Sequence, residues 1–325
     1  MTTLSSMSPI DIKYYTEIEL LNLAILMCLE SDTNGVNNIL YKHNYKIVSI
    51  DRSISTAVGT VKYDICLTST QKELTVGIEI KGDRASNIDE DQLNRYKNVP
   101  LEQFIYLSGI PSQDLNAHKM ETVIMVNSPR LSYVRDKLEQ YGYKFSILGL
   151  DSNHLTASLD EIHTIDQAIA HDINSNPNIL STITPPLIIK FDKESDETVI
   201  AAEVIPEIFR ILLEKRDTFT VDEIIESTYC SVPYLLNIVG ADIKSSVNNK
   251  IKRCLRDLSK FELNKHLIWD SIDKHWELKG LDYSTPAKLG EKLKNVHNKY
   301  MARKNNTSPI HENLDQLSLF DYENY

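Results

Sequence analysis

The stretch from Val61 to Tyr96 constrains this chain more than any other part of it. Val61-Lys62-Tyr63-Asp64-Ile65-Cys66-Leu67 alternates and is rich in strand-forming residues, and Leu74-Thr75-Val76-Gly77-Ile78-Glu79-Ile80 repeats the pattern. The polar Thr68-Ser69-Thr70-Gln71-Lys72 between them reads as a hairpin connection. Successive side chains of a strand leave opposite faces, so Glu79 and Lys81 point one way and Ile78 and Ile80 the other. Gly82 ends the second strand. Asp89 to Tyr96 then reads as a helix, with Gln92 and Tyr96 four apart on one side of it.

A lysine beside two carboxylates suits metal-dependent phosphodiester cleavage. Asp64 and Glu79 offer the hard oxygen ligands that Mg²⁺ prefers, and Lys81 orients or activates the attacking water and offsets developing charge. At these residues the chain resembles the PD-(D/E)XK nuclease superfamily, the restriction-endonuclease-like fold. Asp64 matches the motif's aspartate, Glu79 and Lys81 match its ExK, and Gln92 with Tyr96 looks like the QxxxY helix of RecB-type members. Tyr63 stands where the motif often has proline. The resemblance covers roughly the first half of the chain. It implies an α/β fold with a mixed central sheet flanked by helices, and Mg²⁺ as cofactor with Mn²⁺ able to substitute. It implies Asp64 and Glu79 as metal ligands with the Ile80 carbonyl as a third, Gln92 and Tyr96 positioning the substrate backbone, and cleavage leaving a 5′-phosphate. The plainer reading of the same residues is a solvated, alternating strand face with an ordinary Glu/Lys pair.

Upstream, Thr16 to Glu30 is apolar around most of a helical circumference, which calls for burial against the sheet. Thr16 fits an N-cap, with Glu17 and Glu19 in the first turn where acids favour the helix dipole. An acid on this helix often completes the metal site in the superfamily, and Glu17 is the better match. The alternative is that Glu17 serves only the dipole.

A chain of 325 residues suggests two domains, and 42% hydrophobic with 25% charged residues is ordinary for a globular protein. No apolar run is long enough to span a bilayer, and no basic-then-apolar export signal opens the chain, so a cytoplasmic protein is expected. Cys28, Cys66, Cys230 and Cys254 are scattered without CxxC or Cys/His spacing, which argues for reduced, buried thiols and against structural zinc.

Net charge is −11, but its distribution is uneven. Asp242 to Lys304 holds 15 Lys and Arg against 8 Asp and Glu, while the remainder holds 20 against 38. A basic region carried on an acidic body is the asymmetry expected where one face meets phosphates. Strand signals at Tyr45 to Ile50, Phe104 to Leu107, Thr122 to Val126 and Tyr143 to Leu148, with a helical pattern from Leu131 to Tyr141, mark an α/β domain over 1–150. Residues 151–200, punctuated by Asn174-Ser175-Asn176-Pro177 and Pro185-Pro186, read as a connector with some structure of its own.

Over 201–304 the pattern is helical. Glu203 to Glu214 is amphipathic, and Thr220-Val221-Asp222-Glu223 opens a second helix. A third, from about Asp242 to Phe261, carries Lys244, Lys250, Lys252, Arg253, Arg256 and Lys260. Leu267 to Asp270 and His275 to Lys279 then look like a hairpin, and Pro286 to Lys304 like a further basic helix. Three helices and a hairpin resemble a winged helix with the basic helix in the recognition position. A helical dimerisation domain with a wet lysine face is the alternative. After the polar break Asn305-Asn306-Thr307-Ser308-Pro309, the tail (305–325) reads as disordered, with one apolar pentapeptide, Gln316-Leu317-Ser318-Leu319-Phe320. These five residues resemble the bacterial sliding-clamp-binding consensus, which implies clamp docking; packing of the tail on its own core is the other reading.

Together these features predict a Mg²⁺-dependent DNA endonuclease acting in transposition, defence or repair. The layout is similar to the endonuclease subunit of heteromeric transposases, a resemblance that implies a partner protein of a multi-subunit system; a homodimer, which would supply two sites for two strands, is the other reading. The rival is an inactivated nuclease fold serving as a DNA-binding adaptor. RNA is less favoured because no RNA-binding module appears.

Overall fold

Thr16 caps helix α1 (Glu17–Cys28) as its sequence requires. Its hydroxyl accepts the Glu19 N–H at 3.3 Å, and the Glu19 carboxylate takes the Thr16 N–H at 2.9 Å. This reciprocal box pairs two donors that a helix start otherwise leaves open. Beyond Leu20 almost every residue of α1 is buried, Asn22 included. Asn22 is fully paired: its carbonyl oxygen accepts the Ile188 and Ile189 N–H groups at 2.6 and 2.7 Å, and its amide donates to the Ile18 and Ile189 carbonyls.

The computed structural model describes residues 14–30, 35–82, 88–108, 117–181, 184–281 and 285–306. They form two units, one running to Ile189 and including Asn237–Ala241, the other made of Lys190–Leu236 and the chain from Asp242 onward. In the first unit, after a short helix α2 (Ile39–Lys42), six strands lie side by side in chain order. They are β1 (Lys46–Thr56), β2 (Gly59–Ser69), β3 (Leu74–Lys81), β4 (Lys119–Asn127), β5 (Ser146–Asp151) and β6 (Thr156–Leu159). The β3–β4 and β4–β5 pairs are parallel and the other three antiparallel, so the sheet is mixed. The parallel crossovers carry helices α3 (Glu90–Lys97) and α4 (Leu101–Ser108), then α5 (Leu131–Tyr141); α6 (Gln167–Ser175) follows β6. β3 lies in the interior of the sheet and is buried on both faces up to Ile80, its polar Thr75 and Glu79 included.

Tyr63 organises the core under α3 and α4. Its ring stacks on Tyr96 at 4.6 Å, meets Phe104 edge-on at 5.3 Å, and its hydroxyl bonds Thr122 Oγ1 at 2.8 Å. Gly77 makes room for it: a Cβ there would stand 2.6 Å from the Tyr63 ring.

One expectation is corrected. Phe104 to Leu107 is not a strand but part of α4. Phe104 and Ile105 are buried, with exposed residues at 102, 103 and 106, which is a single helical stripe. The Pro100 carbonyl accepts the Gln103 and Phe104 N–H groups and starts the turn. Four apolar residues cannot by themselves separate a strand from one face of a helix.

The second unit contains α7 (Glu197–Leu213), β7 (Thr218–Phe219), α8 (Val221–Thr228), α9 (Pro233–Leu236), α10 (Ala241–Lys260), β8 (Leu267–Asp270), β9 (His275–Leu278) and α11 (Pro286–Asn306). Thr220 and Glu223 form a second capping box at the start of α8. β9 lies between β7 and β8 in a small antiparallel sheet. Lys304 on α11 pairs with both Glu197 and Asp257, and Arg303 clasps Glu262 at 2.8 and 3.0 Å. All four cysteines are free and buried. No helix among the described residues is long and apolar enough to cross a membrane.

Candidate active site

β2 and β3 pair regularly up to Ile65 opposite Ile78. One residue further the ladder opens, and the Ile80 N–H donates to Asp64 Oδ2 at 2.6 Å rather than to a strand carbonyl. The Asp64 side chain thus takes a backbone position in the sheet, half-buried and fixed in direction. Beside it Glu79, only 5% exposed, is held from three sides. Its Oε1 accepts Lys81 Nζ at 2.6 Å and Gln92 Nε2 at 2.8 Å, and its Oε2 accepts the Tyr96 hydroxyl. Lys81 Nζ also donates to Gln92 Oε1 at 3.1 Å, and Gln92 Nε2 lies 2.9 Å from the Tyr96 oxygen.

Helical spacing explains why Gln92 and Tyr96 act together. Asp89 caps α3 by accepting the Asp91 N–H at 3.0 Å, and residues four apart on that helix face the same way. Tyr96 is buried by its stack on Tyr63, which aims its hydroxyl at Glu79 and at the Lys62 carbonyl, 3.1 Å away. Glu17 stands at the margin of this group. Gly82 N–H points at its Oε1 at 3.5 Å, and a Cβ on Gly82 would lie 2.7 Å from Glu17 Cγ, so a glycine is what lets the start of α1 approach the end of β3.

The charges act on one another. Burial, and then the neighbouring Glu79 charge, push the Asp64 carboxyl well above the ordinary carboxylate range against the pull of the Ile80 N–H; Asp51 adds to the push. Burial opposes the charge on Lys81, yet Glu79, Asp64 and Glu17 together outweigh it and hold the ammonium above its usual pKa. Lys81 therefore stays a cation and Asp64 is a carboxyl that binds a proton readily. The Asp64 and Glu79 carboxylates are hard-oxygen donors, and the unfavourable charge on Asp64 is the kind that a divalent cation relieves. Glu17, Asp64 and Glu79 do not form a tight triad. Among the described residues, the cluster of three metal-ligating side chains with atoms all within 4.8 Å is elsewhere, at Asp270, His275 and Glu277 on β8 and β9.

That hairpin cluster was not anticipated from the sequence. Its signal was present: His275 and Glu277 alternate onto one face, and Asp270 pairs opposite His275. Glu277 is engaged by Lys279, and Asp270 by the Ile272 and Asp273 N–H groups. Also unforeseen is the ion pair of Lys62 with Asp51 at 2.5 Å, on the strands that carry Asp64 and its neighbour β1.

The basic residues of α10 do not share one environment. Lys250 donates to the Ser195 carbonyl at 2.6 Å, and Arg253 lies 3.5 Å from Glu197. Arg256 and Lys260 are exposed, and Lys244 and Lys252 are half-buried. Gln316, Leu317, Ser318, Leu319 and Phe320 lie outside the described residues.

Comparison of the chain with family models, with curated proteins and with solved structures returns no match.

Proposed function

We propose that this protein is a metal-dependent DNA endonuclease whose active site is Asp64, Glu79 and Lys81, with Gln92 and Tyr96 positioning them. One observation carries the reading: Glu79, Lys81, Gln92 and Tyr96 form a single hydrogen-bonded group where β2 and β3 part, and Asp64, fixed there by the Ile80 N–H, lies close enough to feel the charges of Glu79 and Lys81. Asp64, Glu79 and the Ile80 carbonyl would hold Mg²⁺ or Mn²⁺, with Glu17 as an optional further ligand; a bound ion there supplies Lewis-acid stabilisation of the phosphoryl oxygens and a more acidic water. Lys81, kept charged by its carboxylate neighbours, offsets the charge that develops on the reacting phosphate. Gln92 and Tyr96 fix the rotamer of Glu79, so that it need not reorganise during the reaction.

The second unit serves as the DNA-binding part in this reading. Its helices, its small sheet with a hairpin and the basic surplus of its Asp242–Lys304 part suit a winged-helix-like module, with Lys244, Lys252, Arg256 and Lys260 available to phosphates. The Gln316–Phe320 motif would dock the chain on a sliding clamp. Transposition, defence and repair all use such a combination, and a partner subunit or a second copy would supply the other strand's cut. Four reduced, buried thiols accord with a cytoplasmic setting.

The reading is tested by incubating supercoiled plasmid with the purified protein and Mg²⁺, with EDTA as control. Conversion to nicked or linear DNA is expected. The rival reading, an inactive adaptor, predicts that DNA is bound and never cut.

A further inference from the structure

We propose that Lys62 is a second phosphate-binding lysine of the same site, placed by Asp51 to hold the nucleic-acid backbone at a non-scissile phosphate beside the cut. The inference rests on the nuclease reading and adds a substrate contact to it. Lys62 and Asp64 are two apart on β2, so they leave the same face, with Cα atoms about 7 Å apart along the strand. Residue 62 is also tied to the reacting group through its backbone, since its carbonyl lies 3.1 Å from the Tyr96 hydroxyl that donates to Glu79.

Asp51 gives the lysine its direction, and the fold goes to some length to hold Asp51. In β1 its φ is +49°, a left-handed conformation uncommon for a residue with a side chain, though Asp adopts it more readily than most, and here close backbone neighbours hold it. The surroundings are the returning segment Asn237–Ala241. Ile50 N–H donates to the Ile238 carbonyl at 3.0 Å, and Gly240 N–H donates to the Ile50 carbonyl at 2.8 Å. Gly240 approaches so closely that a Cβ would stand 2.2 Å from the Asp51 carbonyl oxygen. From that pinned backbone the Asp51 carboxylate reaches Lys62 Nζ at 2.5 Å.

The Lys62 side chain keeps 28% of its surface and that of Asp51 21%, so the oriented pair is partly open to solvent. A half-exposed ion pair adds little to stability by itself. A lysine on the strand face that carries Asp64, held by an aspartate whose charge Asp64 itself feels, is by contrast a fixed point charge for a phosphate, the kind of contact that sets the register of a nucleic acid without reading its sequence.

The test compares full-length wild type with Lys62→Gln and Asp51→Asn for plasmid cleavage and for the salt dependence of duplex binding. Binding is measured on a Lys81→Ala background so that DNA stays intact, and the melting temperature of each variant is recorded. Lys62→Gln is expected to raise KM about tenfold and to lower the slope of log affinity against log salt by about one, with kcat within about twofold. Asp51→Asn, which leaves the lysine charged, is expected to raise KM less and to keep the slope. Should Lys62→Gln fail to fold, Lys62→Met, which keeps the apolar stem, takes its place. Wild-type KM and slope in the lysine variant would overturn the inference and leave the nuclease reading standing, and so would identical effects of the two variants, the signature of a merely structural pair. A wild type that neither binds nor cuts DNA would remove both.

Discussion

Replacing Tyr96 by Phe removes one oxygen from the centre of the site and little else. The ring would keep its place, stacked at 4.6 Å on Tyr63. What goes is a hydroxyl that donates to Glu79 Oε2, stands 3.1 Å from the Lys62 carbonyl and lies 2.9 Å from Gln92 Nε2. A hydrogen bond to a charged group contributes about 1.5–3 kcal/mol. Glu79 is 5% exposed, so water cannot replace the lost donor, and the cost should fall near the upper half of that range. A unit of this size loses about 2–4 °C for each kcal/mol, which gives a midpoint lowered by about 5–12 °C. Lys81 and Gln92 still hold Glu79 Oε1, so kcat should fall about tenfold rather than vanish. Thermal unfolding and plasmid nicking on the same preparations measure both effects. Tyr63→Phe is the control: it loses a hydroxyl bonded to Thr122 in the same core, costs about 1 kcal/mol, and leaves nicking unchanged. A Tyr96→Phe protein with wild-type stability, or with nicking no slower than the Tyr63 control, would refute the reasoning.

Gly77→Ala should cost about 1–3 kcal/mol, because its Cβ would lie 2.6 Å from the Tyr63 ring; an unchanged urea midpoint would contradict this. Burial and the Glu79 charge raise the Asp64 pKa in the folded chain. The stability that this gives is present below the unfolded carboxylate pKa and is lost as pH rises through the folded value. Asp64→Asn in EDTA at neutral pH should therefore melt no lower than wild type, and it should lose any melting shift that Mn²⁺ confers on wild type. In α10, Arg256→Glu with Lys260→Glu should weaken duplex binding and flatten its salt dependence, whereas Lys250→Ala should lower stability with little effect on binding, because Lys250 is engaged by the Ser195 carbonyl.

The parts of the site that could be read from the sequence are those set by local periodicity. Alternation placed Glu79 and Lys81 on one face, helical spacing joined Gln92 to Tyr96, and the two capping boxes at Thr16 and Thr220 marked their helices. Phe104 and Ile105 were misjudged because a short apolar run carries no period of its own. Asp51 was invisible for a different reason. Its conformation and its partner depend on Gly240, nearly 190 residues later, and a contact of that range leaves no trace in either segment's pattern. The opening of the β2–β3 ladder at Asp64 is likewise a tertiary event. Alternation says which face a side chain leaves, but not that it will replace a strand carbonyl as acceptor of the Ile80 N–H.

The decisive experiment is cleavage of supercoiled, linear, nicked and branched DNA with Mg²⁺ and with Mn²⁺, wild type beside Lys81→Ala. Wild type should cut at least one of these substrates, and the variant, folded and still binding DNA, should cut none. Equal cutting by both proteins would contradict the assignment of Lys81, and no cutting by wild type on any substrate would contradict the assignment of the enzyme.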